Sequence, residues 1–137
     1  ESAWWRERIA IERDVSLAWI ARRGGEDDRG LEILRGAAAR EIAAGKEATE
    51  PGHVIHAAEQ LGDLLLELGK STEALAAYEV ALEDSPRRFN ALLGAGRAAE
   101  AAKLSDRARQ HYSELLRMSV ANDRPGYLHA QEVLTRR

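Results

Sequence analysis

The feature that most restricts this chain is an internal repeat. When Leu61-Gly62 is laid on Ala95-Gly96, Ala74 falls on Ala108, Tyr78 on Tyr112, Ala81 on Leu115 and Leu82 on Leu116, all at one offset of 34 residues. The better-formed copy runs from Ala57 to Pro86, AAEQLGDLLLELGKSTEALAAYEVALEDSP. Its apolar residues recur three and four apart, the spacing of one helix face, and Gly69-Lys70-Ser71 divides it into two helices joined by a tight turn. Such a unit cannot bury its apolar faces alone. Its copies must stack, which predicts an all-α chain built as a helical repeat.

The rest of the chain reads as variations on that unit. A first helix is predicted over Ser2–Arg23, with Ser2 as its N-cap and Gly24-Gly25 as its stop. Trp4, Ile11, Val15 and Ala18 share a face, and Ile9, Leu17 and Ile20 widen the stripe, so this helix is expected to be covered on more than one side. A second helix follows over about 28–46, with Leu31, Leu34, Ala38 and Ile42 along one face and acids at its start. Gly30 and Gly36 are expected to permit close helix contact. Ala43–Gly52 has no apolar pattern and reads as a helix tail plus a loop, with Pro51-Gly52 marking a new start. Further helices are predicted over about 53–68, 72–83, 88–102, 106–119 and 125–135, with Ser71 and Ser105 as caps. No segment alternates with period two for long enough to be a strand.

Composition narrows the class. Aromatic residues make up only 5% of the chain and alanine is frequent, which suits closely packed helices better than a sandwich of sheets. The net charge of −3 has both signs interspersed, so the basic stripe a nucleic-acid surface needs is missing. No apolar run is long enough to cross a bilayer. Without cysteine there is no disulfide, thiol nucleophile or cysteine-ligated zinc. The chain is expected to be soluble, in the cytoplasm or exported after removal of a signal. Because it begins with Glu1 rather than Met, it reads as a fragment or a processed product.

The central unit resembles a tetratricopeptide repeat. Leu61-Gly62 matches that family's Leu-Gly pair. Leu65 stands where tyrosine is common, Gly69 is at the turn, Ala74 opens the second helix, Tyr78 takes the aromatic site, and Ala81 and Pro86 follow. Ala58 replaces the family's early tryptophan. The following copy keeps Gly96, Ala108 and Tyr112 but has Val120 for the proline, so its second helix is expected to run further. A poorer copy lies upstream, where Leu17-Ala18, Ala21, Gly25, Gly30, Leu34 and Ala37 keep the order at a spacing of 44, the excess falling in Ala43–Gly52. The resemblance therefore implies one right-handed α-solenoid domain. Its units would span about 11–44, 55–88 and 89–122, with a capping helix over about 124–136. More loosely, the order of units resembles the C-terminal end of longer bacterial repeat proteins of unassigned function.

The resemblance also implies where a partner would sit. Members of the family bind extended peptides on the concave wall formed by the first helix of each repeat. Carried over, that wall is Glu12, Val15, Trp19 and Arg22, then His56, Glu59, Asp63 and Leu66, then Asn90, Leu93, Arg97 and Glu100. The family's clamp for a C-terminal carboxylate is absent, since the matching places hold Val15, Trp19, Glu59 and Gly94. The implied role is a non-catalytic interaction module or scaffold that binds a protein or peptide. Two alternatives stand beside it. Trp4 and Trp5 point about a hundred degrees apart on a helix, so one of them would mark a self-association surface. A small-ligand pocket beside Trp19 is the other.

Individual residues carry bland and sharp readings. Glu59, Asp63 and Glu67 form either a solvated acidic stripe or a docking strip for a basic partner. Trp4, Trp5 and Trp19 read first as packing residues. His53, His56 and Glu59 lie on one helix face at a spacing that zinc accepts, but no HExxH pattern or convergent further histidine supports a metal site. Glycine-rich phosphate loops and GxSxG elbows are absent, so no catalytic residue and no cofactor is assigned.

Overall fold

The computed structural model describes residues 2–45, 55–118 and 124–136. Among these, seven helices follow in order: α1 (Ser2–Arg23), α2 (Asp27–Ala44), α3 (Ala57–Glu67), α4 (Ser71–Asp84), α5 (Phe89–Ala101), α6 (Ser105–Met118) and α7 (Tyr127–Thr135). There is no strand among the described residues. The helices pair as α1·α2, α3·α4 and α5·α6, each pair packs on the next through α2·α3 and α4·α5, and α7 closes on α6 and α5. Contacts of α1 with α3, α3 with α5 and α5 with α7 line the first helices up as one wall. This is a helical repeat solenoid.

The turn inside each pair is built the same way. Gly69 takes a positive φ of 75°, its N–H donates to the Leu66 carbonyl, and the Lys70 N–H donates to that of Leu65 at 2.9 Å. This double bond pattern closes a helix with a left-handed residue. Gly25 repeats it with Arg22 and Ala21 as acceptors, and Lys103 repeats it with Glu100 and Ala99. These turns displace the expected caps. Ser71 is the first helical residue of α4 behind Lys70 and makes no cap hydrogen bond, and Ser105 likewise opens α6. The left-handed residue delivers the chain already aimed into the next helix.

Tyr78 and Tyr112 are the largest fully buried side chains. Each needs a glycine opposite it. A Cβ on Gly62 would lie 2.8 Å from the Tyr78 ring, and one on Gly96 would collide with Tyr112 in the same way. Gly94 of α5 gives Tyr78 room from the other side, so the ring is seated between two units. Gly30 also serves a close approach, since a Cβ there would meet the Ala18 carbonyl at 2.9 Å. Gly36 has open space around it, so the expected close contact is not made there.

Three further expectations are corrected. Ile9, Leu17 and Ile20 are exposed, so α1 is covered on one side rather than several: Ile11, Val15 and Ala18 face α2, and among the described residues the opposite face meets no helix. Ile42 and Ile55 are exposed as well, because α2 ends two residues beyond Ile42 and α3 begins only at Ala57. The start of α3 is set by a residue the sequence did not single out. Buried Glu41 of α2 accepts the Ala57 N–H on both carboxylate oxygens, at 3.1 and 3.0 Å, and so places negative charge at a helix N-terminus. The expected loop over 46–52, the Pro51-Gly52 start, His53 and the extension past Val120 lie outside the described residues. Ser2 opens α1 as a helical residue, and its side chain lies outside the description.

Candidate functional site

The wall of first helices forms a groove of about 440 Å³. Trp19 of α1, Glu59, Gln60, Asp63, Leu66 and Glu67 of α3, Tyr78 of α4, and Asn90, Leu93, Gly94 and Arg97 of α5 line it. The expected wall residues fall into rows, one residue from each pair. Trp19, Asp63 and Arg97 form one row and all three face the groove. The row of Val15, Glu59 and Leu93 is buried, at 7%, 4% and 7% exposure, and only Glu59 and Leu93 of it form the groove floor. Helical geometry explains the difference, because residues four apart are offset by about 40° around the axis. The first row then looks into the trough, while the second is rotated toward the core and lies deeper.

That floor corrects part of the expected site. Val15 packs with Ile11 in the core and does not line the groove. His56 is buried elsewhere, with Nδ1 3.4 Å from Glu41 and 3.6 Å from Asp84 and with Ser85 beyond its other ring nitrogen, because α3 starts one residue after it. Glu12 is exposed on α1 but lies outside the groove lining. Arg22 is half-buried at the groove's end, bonded to Asp27 at 2.9 Å and 3.7 Å from Glu67. Glu100 turns away from the groove and accepts hydrogen bonds from Tyr112 and from His129 of α7.

Nor are the three acids of α3 a solvated stripe. Glu59 is held in the floor by Arg88, whose Nε and second guanidinium nitrogen reach its two carboxylate oxygens at 2.7 and 3.2 Å. That bond in turn raises the Arg88 pKa. Asp63 accepts the Tyr78 hydroxyl at 2.5 Å. Burial pushes its carboxyl above the ordinary aspartate value, the Tyr78 bond pulls the other way, and the charges of Glu59 and Glu67 push it up further. Burial and the Asp63 charge raise the Tyr78 phenol too. Glu67 alone is well exposed. Among the described residues neither Asp63 nor Arg97 forms an ion pair.

Trp19 packs against the core and also lines the groove. It is partly buried, and its indole N–H donates to Gln60 at 2.8 Å, which fixes the ring at the groove wall. Gln60 was not singled out from the sequence, and Gly94 was named there only as a place where the carboxylate clamp is missing. Tyr78 was assigned to the fold alone, although its hydroxyl reaches the groove. A tyrosine fifteen residues beyond an aspartate, across a helix hairpin, was the available signal for that pairing. The trough is open and its lining mixes acid, base, amide and apolar groups, so it is not a closed apolar pocket.

The chain has no helix long and apolar enough to cross a membrane among the described residues. No group of three or more histidines, cysteines or acids there is placed to hold a metal ion. The family model described as tetratricopeptide repeat matches residues 59–123. Over that span, just under half of the chain, it matches the tetratricopeptide repeat family. The match takes in most of α3, all of α4, α5 and α6, and both tyrosine–glycine contacts. No curated protein matches the chain. Tetratricopeptide repeats in general mediate protein–protein interaction and are typically non-catalytic modules.

Proposed function

We propose that the chain is a non-catalytic scaffold that binds an extended segment of a partner protein in the groove between α1, α3 and α5. In this reading the chain is a single domain of three units, about 11–44, 55–88 and 89–122, with α7 as the cap. The observation that carries it is the row of Trp19, Asp63 and Arg97, brought from three separate helices to one trough. Trp19, Leu66 and Leu93 offer apolar contact, Asp63 and Glu67 offer negative charge at one flank, and Asn90 and Arg97 offer donors at the other. The segment best matched to this lining places a lysine or arginine toward Asp63 and Glu67, an apolar side chain against Trp19, and a carboxylate or backbone carbonyl toward Arg97. Burial already disfavours a charged Asp63, so a basic group from the partner would relieve that carboxylate.

Selection from a library of random peptides displayed on phage tests the reading. Wild-type protein is expected to enrich peptides that pair a basic with an apolar residue. Trp19→Ala and the double variant Asp63→Asn/Glu67→Lys are each expected to lower affinity for the selected peptides by at least about tenfold. Peptides that bind the variants as tightly as wild type would remove the groove from consideration.

A further inference from the structure

The outer side of α1 carries Trp5, Ile9, Leu17 and Ile20, exposed at 47%, 64%, 44% and 65%. Apolar side chains grouped on one exposed helix face mark a contact surface. Two of them have counterparts in the next pair. With Leu17-Ala18 laid on Leu61-Gly62, Leu17 corresponds to Leu61 and Ile20 to Leu64. Leu64 is fully buried beside Gly30 of α2, and Leu61 packs against the core. The face that is open on α1 is thus one that a neighbouring helix covers on α3.

The residues between the apolar ones fit a second copy of the same helix. Consider two antiparallel α1 helices related by a two-fold axis passing between Glu12 and Arg13. Glu12 then faces the second copy's Arg13, and Arg13 faces its Glu12. Trp5 lies against the second copy's Ile20, and Ile9 lies over its Ser16 with Leu17 alongside. Ser16 is small enough to receive Ile9, and its hydroxyl already donates to the Glu12 carbonyl at 3.1 Å, so covering it orphans no donor. Arg13 is bonded to Asp14 within its own helix, but its side chain is 65% exposed and keeps further N–H groups to offer. The contact leaves the groove open, because none of these residues lines it.

We propose that the chain forms a symmetric dimer through antiparallel α1 helices, with Trp5, Ile9, Leu17 and Ile20 in the seam and reciprocal Glu12–Arg13 ion pairs about the axis. Sedimentation equilibrium over a wide concentration range tests it. The average mass is expected to climb toward twice that of the monomer. Ile9→Asp and Ile20→Asp are each expected to weaken the dimer by at least about tenfold. Both side chains are exposed, so at concentrations low enough for wild type to be monomeric the helical circular dichroism and melting temperature should match wild type. Glu12→Arg alone and Arg13→Glu alone are each expected to weaken it by about threefold or more, while the exchanged pair Glu12→Arg/Arg13→Glu restores it, because the exchange rebuilds the same pairs in reverse. A chain that stays monomeric at every concentration overturns the proposal and leaves the face to the second helix of a preceding repeat. A dimer indifferent to Ile9→Asp and Ile20→Asp, or one the exchange does not restore, overturns it as well.

Discussion

Tyr78 and Tyr112 occupy the same place in consecutive units, yet the carboxylates that receive their hydroxyls come from different positions. Tyr78 donates to Asp63, whose counterpart in the next unit is Arg97. Tyr112 donates to Glu100, whose counterpart in the previous unit is Leu66. The shift of three residues changes what each carboxylate meets. Asp63 faces the groove among other acids, and burial raises its pKa. Burial pulls the Glu100 carboxyl upward too, but bonds from Tyr112 and His129 and the charges of His129 and Arg136 outweigh it and hold the value below the usual glutamate range. One tyrosine is tied to a carboxylate that has no ion-pair partner among the described residues and lines the groove. The other is tied to one that fastens α7, where Arg109 adds bonds to the Val133 and Leu134 carbonyls. The same fold-building residue is therefore tied to a groove-lining carboxylate in one unit and to closure of the array in the next.

The feature the two units share should give the largest effects. Gly62→Ala and Gly96→Ala each force a methyl group into a buried tyrosine ring, and each is expected to cost about 1–3 kcal/mol. Denaturant unfolding measures this. Equal losses would mark the two seats as equivalent. A much smaller loss at Gly62 would mean that the Tyr78 ring can shift toward the groove.

The carboxylates should separate the units by sign. Because the Glu100 pKa is lowered on folding, its contribution is present above the unfolded value of about 4.5 and is lost as pH falls through the lower folded value. Glu100→Gln is expected to cost about 1 kcal/mol at neutral pH, a figure kept small because the side chain is about a third exposed, and to cost little at strongly acid pH. Asp63 has the opposite sign. Its pKa is raised, so its contribution is favourable below the unfolded value of 3.8 and is lost as pH rises through the folded value. Asp63→Asn is therefore expected to leave stability equal to or above wild type at neutral pH, with no gain at strongly acid pH. Melting temperatures of both variants across the acid range would check the contrast, and a loss at neutral pH for Asp63→Asn would break it.

A smaller effect sits at the turns. Gly25, Gly69 and Lys103 take the same left-handed conformation, and only Lys103 has a side chain to strain it. Lys103→Gly is expected to stabilise the chain by roughly 0.5–1 kcal/mol, the left-handed penalty less the added entropy of the unfolded glycine. Calorimetric melting would detect it, and a decrease would show that the Lys103 side chain contributes more than its backbone strain costs.

How far the sequence carried can be read from these residues. Ala18, Gly62, Ala74, Tyr78 and Gly96 were legible because a helix pair repeated at 34 residues confines small and large side chains to fixed places. The Trp19–Asp63–Arg97 row was legible only through the family resemblance. Carrying over every first-helix position brought in Val15 and His56, which the packing buries. Which of two rows four residues apart looks into the trough depends on how each helix is rotated about its own axis, and inter-helix contacts set that rotation.

By itself, the sequence determined the seven helices, the stacking of pairs and the seats of the two tyrosines, because these follow from periodicity, glycine placement and residue volume. Only the tertiary structure decided how each acid of α3 is partnered. Glu59, Asp63 and Glu67 are alike as a pattern on one helix. Arg88 neutralises the first, Tyr78 and burial perturb the second, and the third is exposed within reach of Arg22. A carboxylate's partner and its dielectric surroundings come from other helices, and no spacing within its own helix encodes them.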